Sequence, residues 1–571
     1  MNLENSIISR YGNQYWVFML VLVFLTLFMM FCNGLSASYS GFDFFFHYRR
    51  LDVLIDALKH GDYISYIDYS NVDGYGYLVK PFYPDLILLP FAFIGLFTST
   101  YFAYDTMIFV MTVLCGMFMY HTIKVIFNSR YAAFLGAILY TFAVYRLYDI
   151  YHRGALAEAL SFSFLPIVFL GLYYVIKGDY RKWYILAIGY TSLIYSHVIA
   201  SVLMFVTLLI LLAINYKSFI SEPKRITYLF LAGVVTLLLT SYYILPLVEQ
   251  ISHNSFYLDS RNPGGGAGYG KVGFDLILWG LVSGIAYPDT HMWTGVGIVL
   301  VLVLLVRFFV KKEQSGLLRM VDIGVIIGIC FILITSRIFP WGRFPFNLLS
   351  FIQYPWRLYE FVSFFFAIAG AYYLSVLFVK EKQRFLVSAI LVLVIMGTTY
   401  IHSENFKELY PQKTTLTDTG ESPEKPTMYN RYHTIGGEYF PSKYPMMEYA
   451  YTRGEVVTFL NEDTKISDID RGYNQTSFDV SINKPDTLVL PLLFYKGYNV
   501  TLRGIDIPIH ESNDGLIEIY VVESGNINAI YKSTTIQDVS FYVSLSGAIL
   551  LIIFVILNRN RKYGFYRQNN K

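Results

Sequence analysis

The sequence predicts an all-α polytopic membrane protein with about twelve transmembrane helices and a β-sandwich-like module near its C-terminus. Its 571 residues are 55% hydrophobic and 15% charged, and the mean hydropathy is +0.46. Soluble proteins are roughly 45–50% apolar and about 25% charged. Long apolar runs recur along the chain, and short alternating stretches appear near its end. This composition excludes a soluble globular enzyme, a disordered chain and a fibrous repeat.

Crossing about 30 Å of hydrocarbon takes roughly 20 apolar residues per helix. The runs that we interpret as spans are 16–33, 102–123, 132–148, 157–176, 184–199, 200–216, 226–246, 292–310, 320–336, 357–379, 385–401 and 537–557. The run 86–97 is shorter and is framed by Pro84, Pro90 and Gly95. We therefore expect it to form an interfacial or re-entrant helix instead of a further span.

Basic residues indicate the orientation, because Lys and Arg accumulate in cytoplasmic loops. With the N-terminus inside, the cytoplasmic segments are 1–15, 122–131, 177–183, 217–225, 307–319, 380–384 and 559–571. These segments contain 21 basic and 5 acidic residues, whereas the rest of the chain contains 23 basic and 36 acidic residues. Counting 86–97 as a span would reverse every later loop. We therefore predict a multi-pass protein of the plasma membrane with both termini in the cytoplasm.

The longer polar segments are then expected outside the cytoplasm. The predicted regions, in chain order, are a multi-span domain at 1–401 with outer loops at 36–81 and 249–291, a β-rich outer domain at 402–536, and a last span with a basic tail at 537–571. In the β-rich domain, apolar and polar residues alternate from Thr476 onward. Turn signals then separate short β-rich runs at 487–493, 498–502, 516–522 and 529–533. This pattern is typical of a small β-sandwich.

Charged residues at the outer ends of the spans are candidates for a site, because charge near a membrane tends to face a polar cavity or a partner. In the first outer loop, Asp43, His47 and Arg50 share one face of a helix that begins at Asp43. A carboxylate there can act as a general base, and an arginine can neutralise a phosphate. The alternative is an ordinary amphipathic helix with Asp43 as its N-cap, lying on the membrane surface.

A second candidate group, at the outer ends of the third and fourth spans, consists of Arg146, Asp149, His152, Arg153 and Glu158. Glu158 stands at the start of an apolar run, where a carboxylate needs a partner. Arg153 and Glu158 could simply pair with each other. Their five-residue spacing, however, does not put them on one helical face. A tertiary partner or a substrate is therefore the alternative.

A third candidate group consists of three arginines on the predicted outer side, Arg337, Arg343 and Arg357, with Trp341 and Trp356 beside them. Trp and Arg commonly anchor spans at the membrane interface. Guanidinium groups on the non-cytoplasmic side also suit an anion, and a lipid phosphate is the natural ligand there.

We predict no cofactor. The acidic and imidazole groups at the ends of the loop 249–291 could hold a divalent metal, but no diagnostic ligand spacing is present. These groups are Glu249, His253, Asp259, Asp289 and His291.

The glycine-rich segment 265–272 has phosphate-loop spacing, except that Val272 stands where Ser or Thr is required. We interpret that segment as a flexible loop.

Several short motifs together resemble a known family. Asp43, His47 and Arg50, followed by Gly61-Asp62-Tyr63, resemble the first outer loop of integral-membrane C-type (GT-C) glycosyltransferases. The whole chain is similar to the bacterial membrane proteins called 6-pyruvoyl-tetrahydropterin-synthase-related and to their YfhO-like relatives. The other stretches that carry the resemblance are 153–158 (RGALAE), 354–357 (YPWR), 438–441 (EYFP) and 494–498 (FYKGY).

The resemblance implies a GT-C fold with an outward-facing active site that is fed by a polyprenyl-phosphate sugar. The acid of the first loop is the usual catalytic candidate in that superfamily, and it maps to Asp43. Many members carry paired acids at this point. Here Phe42 and Phe44 flank Asp43, so a metal-binding role is not expected.

We therefore expect an inverting glycosyltransferase that moves a sugar from a polyprenyl-phosphate carrier to an outer acceptor, such as a cell-wall polymer, a glycolipid or a surface polysaccharide. Asp43 would deprotonate the acceptor hydroxyl. The residues expected to bind substrate are His47, Arg50, Arg153, Glu158, Arg337, Arg343 and Arg357. The three last-named arginines would hold the phosphate leaving group. The expected partners are the lipid bilayer, the lipid-linked sugar and the glycan acceptor, without nucleic acid.

Two alternatives stay open. A transporter or flippase of lipid-linked glycans would need charged residues deep inside several spans, and most predicted spans have none at their centres. A surface-polysaccharide polymerase or ligase also uses Arg and His in outer loops. A donor that is a diphosphate-linked oligosaccharide would distinguish it from the transferase.

Overall fold

A computed structural model describes most of the chain. The described residues are 2–32, 41, 43–258, 270–284, 295–311, 316–409, 434, 437–446 and 448–568. The chain divides into two compact units. The helical unit consists of Met1–Tyr48, Thr98–Thr236 and Gly264–Glu424, and the β-containing unit consists of Arg49–Phe97, Leu237–Pro263 and Lys425–Lys571.

Helices account for most of the described chain. In order they are α1 (Asn2–Phe31), α2 (Phe44–Lys59), α3 (Leu89–Gly95), α4 (Thr100–Phe127), α5 (Arg130–Thr141), α6 (Val144–Tyr148), α7 (Leu156–Ile176), α8 (Tyr184–Ser196), α9 (Val198–Ile214), α10 (Tyr216–Ser221), α11 (Lys224–His253), α12 (Phe274–Val282), α13 (Ile298–Leu305), α14 (Gly316–Ile334), α15 (Tyr359–Leu377), α16 (Glu381–Leu409), α17 (Tyr449–Arg453) and α18 (Thr535–Gln568). A π-helical turn, Asp149–Arg153, follows α6.

Within the described residues, nine helical segments are long and apolar enough to cross a membrane, so the chain is a polytopic membrane protein. They are Gln14–Phe31, Thr100–Phe127, Arg130–Arg153, Leu156–Ile176, Lys224–His253, Gly316–Ile334, Pro355–Leu377, Glu381–Leu409 and Thr535–Asn558. The other three predicted spans coincide with the shorter helices α8, α9 and α13, although 292–294 lie outside the described residues. The total of twelve spans stays a prediction.

The run 86–97 contains only α3, which has 7 residues. At 1.5 Å per residue this helix extends about 10 Å, which is too short to cross the hydrocarbon. Its sequence explains the length, because Pro90 occupies the first turn and Gly95 ends the helix. The run therefore forms a short helix, as expected, and its interfacial or re-entrant placement stays a prediction.

Small residues let the central helices of the helical unit approach closely. A Cβ built on Gly171 of α7 would lie 2.4 Å from the Leu186 backbone of α8, and one on Gly189 of α8 would lie 2.8 Å from the Val168 nitrogen. Both distances are far below normal van der Waals contact. The two helices therefore pack backbone to backbone, as small-residue interfaces do in membranes.

Polar contacts connect loop segments that the charge pattern assigns to one face. Arg225 donates hydrogen bonds to the carbonyls of Val175 and Gly178, at 2.8 and 3.1 Å. Arg307 donates to both carboxylate oxygens of Asp322, at 2.8 and 2.9 Å. These contacts join segments at helix ends that the predicted topology places on the same side of the membrane. The assignment of that face to the cytoplasm stays a prediction.

The β-containing unit includes two antiparallel sheets near the C-terminus. Their strands are β3 (Thr458–Phe459), β4 (Lys465–Gly472), β5 (Gln475–Ser481), β6 (Asp486–Leu493), β7 (Tyr498–Leu502), β8 (Ile505–Ile507), β9 (Ile509–Glu511), β10 (Leu516–Val521) and β11 (Gly525–Tyr531). One sheet has the order β3-β6-β10-β9, and the other has the order β4-β5-β11-β7-β8. Alternate residues of both sheets share one buried core, so the two sheets form a sandwich.

The predicted runs all coincide with strands, but four further strands were not expected: the short β3, β8 and β9, and the longer β4. β4 is the clearest omission. Its residues are exposed or half-buried throughout, so β4 lacks the apolar alternation that marks a strand. It lies at the edge of its sheet and pairs with β5.

From Arg49 onward, the first outer segment belongs to the β-containing unit together with the sandwich. A short hairpin, β1 (Ile67–Asp68) with β2 (Tyr77–Leu78), precedes α3. The Leu493 N–H of β6 donates to the Tyr75 carbonyl at 2.9 Å, and the Tyr75 hydroxyl donates to the Gly454 carbonyl at 2.6 Å. A core of tyrosines covers these contacts. The β-containing unit thus includes part of the first outer segment as well as Lys425–Lys571. The predicted boundaries at 401 and 537 stay predictions.

Asp486 organises the entry to β6. The buried carboxylate accepts the backbone N–H groups of Leu460 and Asn461 and the hydroxyl of Thr464. It also accepts the N–H of Thr487 at 2.8 Å. Burial opposes its charge, but these donors outweigh burial and hold the pKa of Asp486 below its usual value.

We predict that Asp486→Asn destabilises the sandwich by about 1–3 kcal/mol, because the charged acceptor is lost. A depressed pKa gives stability that is present above the unfolded pKa of about 3.9 and is lost as pH falls through the folded pKa. Hydrogen exchange of the full-length protein in detergent micelles should therefore show faster exchange in 458–493 at pH 7. The difference from wild type should shrink at pH 3.

Asp506→Asn, at an exposed position of β8, is the matched control and should exchange like wild type. Equal protection of the Asp486 and Asp506 variants at pH 7 would contradict the assigned role.

Candidate functional site

Asp43 is held in place by its backbone at the start of α2. Its carbonyl accepts the His47 N–H at 3.2 Å, so Asp43 occupies the N-cap position that the sequence predicts. Its own N–H donates to the Arg153 carbonyl at 2.7 Å. The Asp43 side chain is half-buried. The catalytic candidate is therefore attached to the second candidate group through the main chain.

Gly41 makes this attachment possible. It has φ +95°, and a Cβ on it would lie 1.9 Å from the Gly154 nitrogen and 2.2 Å from the Arg153 carbonyl carbon. Any side chain at this position would collide with backbone. The backbone at Gly41 can thus approach the backbone of residues 153 and 154 only because glycine has no side chain.

The segment between α6 and α7 brings Arg153 and Glu158 together. The π-helical turn ends at Arg153, and Gly154 follows with φ +61°. This break explains why two residues five apart can meet, although a continuous helix would separate them. The Arg153 Nη1 donates to Asp149 Oδ1 at 2.9 Å and to Glu158 Oε2 at 2.6 Å.

Glu158 also has tertiary partners. The Tyr145 hydroxyl donates to its Oε1, and the Arg357 Nε lies 3.4 Å from its Oε2. The Arg357 Nη1 donates to the Ile352 carbonyl at 2.9 Å. Both alternatives that the sequence left open are thus realised, since Glu158 pairs with Arg153 and has a tertiary partner.

A further carboxylate, Glu360, lies next to this pair. The Ser161 hydroxyl donates to Glu360 Oε1 at 2.6 Å. We call the group formed by Asp149, Arg153, Glu158, Arg357 and Glu360 the charge cluster. Its three acidic residues are at most 1% exposed. Charges buried to this extent persist only when they are paired and hydrogen-bonded.

His47 and Arg50 are buried on the same face of α2, as predicted, and Leu51, Leu54 and Ile55 share that face. The protein itself therefore covers the face that could have lain on a membrane. Arg50 belongs to the β-containing unit, where it donates to the Pro84 carbonyl at 2.7 Å. His47 belongs to the helical unit.

The three predicted phosphate ligands have different surroundings. Arg357 is buried in the charge cluster. Arg337 and Arg343 are exposed, and the Arg337 backbone N–H donates to the Val272 carbonyl at 3.0 Å. The exposed pair can reach a ligand directly, whereas Arg357 already has a carboxylate partner.

Sequence reasoning missed Glu360 and Tyr145. The signal for Glu360 was available, because it is a carboxylate inside an apolar run, like Glu158. The third candidate group ended at Arg357, three residues before Glu360, so it did not include this carboxylate. Tyr145 gave no signal, since a tyrosine near a span end is commonly an interfacial anchor.

The candidate metal ligands are only partly described. Glu249 pairs with Lys496 at 3.1 Å and accepts the Thr534 hydroxyl, and His253 Nε2 lies 2.9 Å from the Lys496 amine. Asp259, Asp289, His291 and the loop residues 265–269 lie outside the described residues. Among those described, no three His, Cys, Asp or Glu side chains are grouped as metal ligands would be.

Comparison with known proteins adds little to this picture. No family model matches the chain. An uncharacterized protein of Lactococcus lactis subsp. cremoris (strain MG1363) is 23% identical over 348 residues, which cover 59% of this chain and 56% of that relative. The chain thus spans about half the length of the relative it matches. The description of that relative names no activity.

We predict that Glu158→Gln destabilises the helical unit by about 3–5 kcal/mol, because Arg153 and Arg357 lose their shared buried counter-charge. Thermal unfolding of the full-length protein in detergent micelles measures the loss. Glu222→Gln is the matched control, since Glu222 also pairs with an arginine, Arg225, at 2.8 Å but is 44% exposed. It should cost at most about 1 kcal/mol. Equal unfolding temperatures for the two variants would show that the cluster does not stabilise the unit.

Proposed function

We propose that the protein is an inverting membrane glycosyltransferase that uses a polyprenyl-phosphate sugar and an acceptor outside the cytoplasm. The observation that carries the proposal is the attachment of Asp43 to the charge cluster through the Arg153 carbonyl. Twelve spans, a plasma-membrane location and cytoplasmic termini belong to the same proposal.

The surroundings of Asp43 suit a general base. The carboxylate is half-buried, so one side remains accessible while its position is fixed by the backbone. It also interacts electrostatically with the Arg153 guanidinium. The single positive charge of Arg153 is also paired with Asp149 and Glu158, so Asp43 is not its sole counter-charge.

The reaction that we propose is a direct displacement. The acceptor hydroxyl oxygen attacks C1 of the sugar while its proton passes to the Asp43 carboxylate. The bond between C1 and the phosphate oxygen breaks, and the electron pair leaves with the polyprenyl phosphate. Attack opposite the leaving group inverts the configuration at C1. A positioned base typically contributes about 10²–10⁴-fold to such a step.

The leaving phosphate needs a positive partner. Arg337 and Arg343 are exposed and can stabilise its developing charge. Arg357 is assigned a positioning role, because its guanidinium already faces Glu158. His47, Arg153 and Glu158, which belong to the same unit as Asp43, would shape the site around it.

The distribution of charge within the spans favours a transferase over a transporter. In the nine candidate spans, every Asp, Glu, Lys and Arg lies within eight residues of a span end. A pathway across the bilayer would instead need polar groups near span centres. Chemistry near the membrane surface, and not in the middle of the bilayer, fits this distribution.

We predict that Asp43→Asn lowers the turnover number at least about 100-fold and leaves folding intact, because the base is removed without a change of shape. The assay measures transfer from a radiolabelled polyprenyl-phosphate sugar by the purified full-length protein. Asp538→Asn, an exposed acid in the first turn of α18, is the control and should retain wild-type turnover. Wild-type turnover in the Asp43 variant would eliminate Asp43 as the base.

We also predict that Gly41→Ala lowers turnover at least about tenfold, because the clash with Gly154 displaces Asp43 from a productive position. Gly61→Ala separates this effect from backbone strain. Gly61 also has positive φ, +74°, but a Cβ there meets nothing within 4 Å. The same transfer assay should show little change for Gly61→Ala. Equal loss in the two variants would mean that strain alone, without displacement of Asp43, explains the effect.

A further inference from the structure

A cavity of about 740 Å³ lies within the β-containing unit. The second half of α2, residues 67–74 and the turn between β4 and β5 surround it. Small-molecule sites in proteins typically have volumes of about 300–1,000 Å³. Asp43 lies outside this unit, so the cavity is not the candidate site already described.

Aromatic rings form one wall of the cavity. The Tyr473 ring stacks on the His60 ring with 4.2 Å between centroids and an interplanar angle of 3°. Tyr69 meets Tyr473 edge-on at 5.0 Å. Such rings offer an apolar face with a polar rim, which suits a ligand that alternates C–H faces with hydroxyl groups. Sugars have that character.

Other charges in the wall already have partners within the protein. Arg49 donates to both carboxylate oxygens of Asp68, at 2.8 and 2.7 Å. Burial opposes the Arg49 charge, but Asp68 outweighs burial and raises the pKa of Arg49 above its usual value. Arg471 contacts the carbonyls of Asp73 and Pro491, at 3.5 and 3.3 Å, and so connects the first outer segment to the sandwich.

The charge balance of the wall selects the ligand. Among the described lining residues there are five carboxylates and three basic side chains, a formal net charge of −2. Asp56 is 51% exposed and Asp52 is 40% exposed, so both can reach a bound molecule. Like charges in one cavity repel, so phosphorylated or carboxylated ligands are disfavoured. A lipid-phosphate donor therefore does not fit here.

We propose that this cavity binds a glycan that has no anionic groups, and that the aromatic wall containing Tyr473 contacts its sugar rings. The statement that this glycan is the acceptor of the transfer reaction rests on the proposed function. The statement that the cavity binds a glycan is independent of it.

The test measures direct binding to the full-length protein in detergent micelles by titration calorimetry. Three β-1,4-linked trimers serve as probes: cellotriose, the glucosamine trimer with three amines, and the glucuronic acid trimer with three carboxylates. We expect the first two to bind and the third to bind at least about tenfold more weakly, because of the −2 charge. Absence of binding by all three, or strongest binding by the glucuronic acid trimer, would overturn the proposal.

Variants locate the binding. Tyr473→Ala should weaken binding of the glucosamine trimer roughly five- to tenfold, whereas Tyr473→Phe keeps the ring and should bind like wild type. Tyr520→Ala, at a 58% exposed tyrosine on β10 away from the cavity lining, is the matched control. Asp56→Asn removes a carboxylate that can pair with an amine, so it should weaken binding of the glucosamine trimer more than binding of cellotriose. Equal effects of the Tyr473 and Tyr520 alanine variants would place the binding elsewhere.

The two proposals fail separately. If the protein binds the trimers but shows no sugar transfer, the cavity remains a glycan-binding site and the proposed transferase function is wrong. Sugar transfer whose acceptor KM is unchanged by Tyr473→Ala would retain the transferase and remove the cavity as its acceptor site.

Discussion

The helical unit depends on one constraint, which is that a carboxylate buried in an apolar bundle must find positive and hydrogen-bonding partners. Glu158 satisfies it with Tyr145, Arg153 and Arg357, which come from three separate segments. Because these partners must converge on one side chain, the ends of α6, α7 and α15 are fixed relative to one another. The Arg153 carbonyl is fixed with them, and the position of Asp43 follows.

Local periodicity made much of the fold predictable. The apolar runs, the buried face of α2 and the core strands of the sandwich all repeat with the period of their own secondary structure. His47 and Arg50 were placed on one face by spacing alone, and both are buried. The short helix α3 was recognised because two prolines and a glycine limit its length. Each of these inferences needs only residues that are close in sequence.

The features that escaped prediction depend on contacts between distant residues or on backbone detail. β4 has no apolar alternation, because its edge position leaves it exposed, so only pairing with β5 reveals it. The contact between Arg153 and Glu158 requires a π-helical turn and a left-handed Gly154, which spacing rules for a regular helix do not describe. The joining of Tyr75 to Leu493 spans more than 400 residues of sequence. The candidate site was therefore found as separate groups, without the connections between them.

Charge balance also separates the two ligands that a transferase must handle. In the helical unit, Arg357 is already paired with Glu158. A phosphate that bound Arg357 would have to displace this buried carboxylate. Glu158 would then have one fewer positive neighbour. That replacement costs several kcal/mol when the pair is buried. The exposed Arg337 and Arg343 carry no such cost. The cavity of the β-containing unit has the opposite sign and disfavours phosphate altogether. Under the proposed function, and among the described residues, the exposed arginines would favour an anionic donor and the cavity would favour an uncharged or basic acceptor, so the two substrates would not compete for one surface.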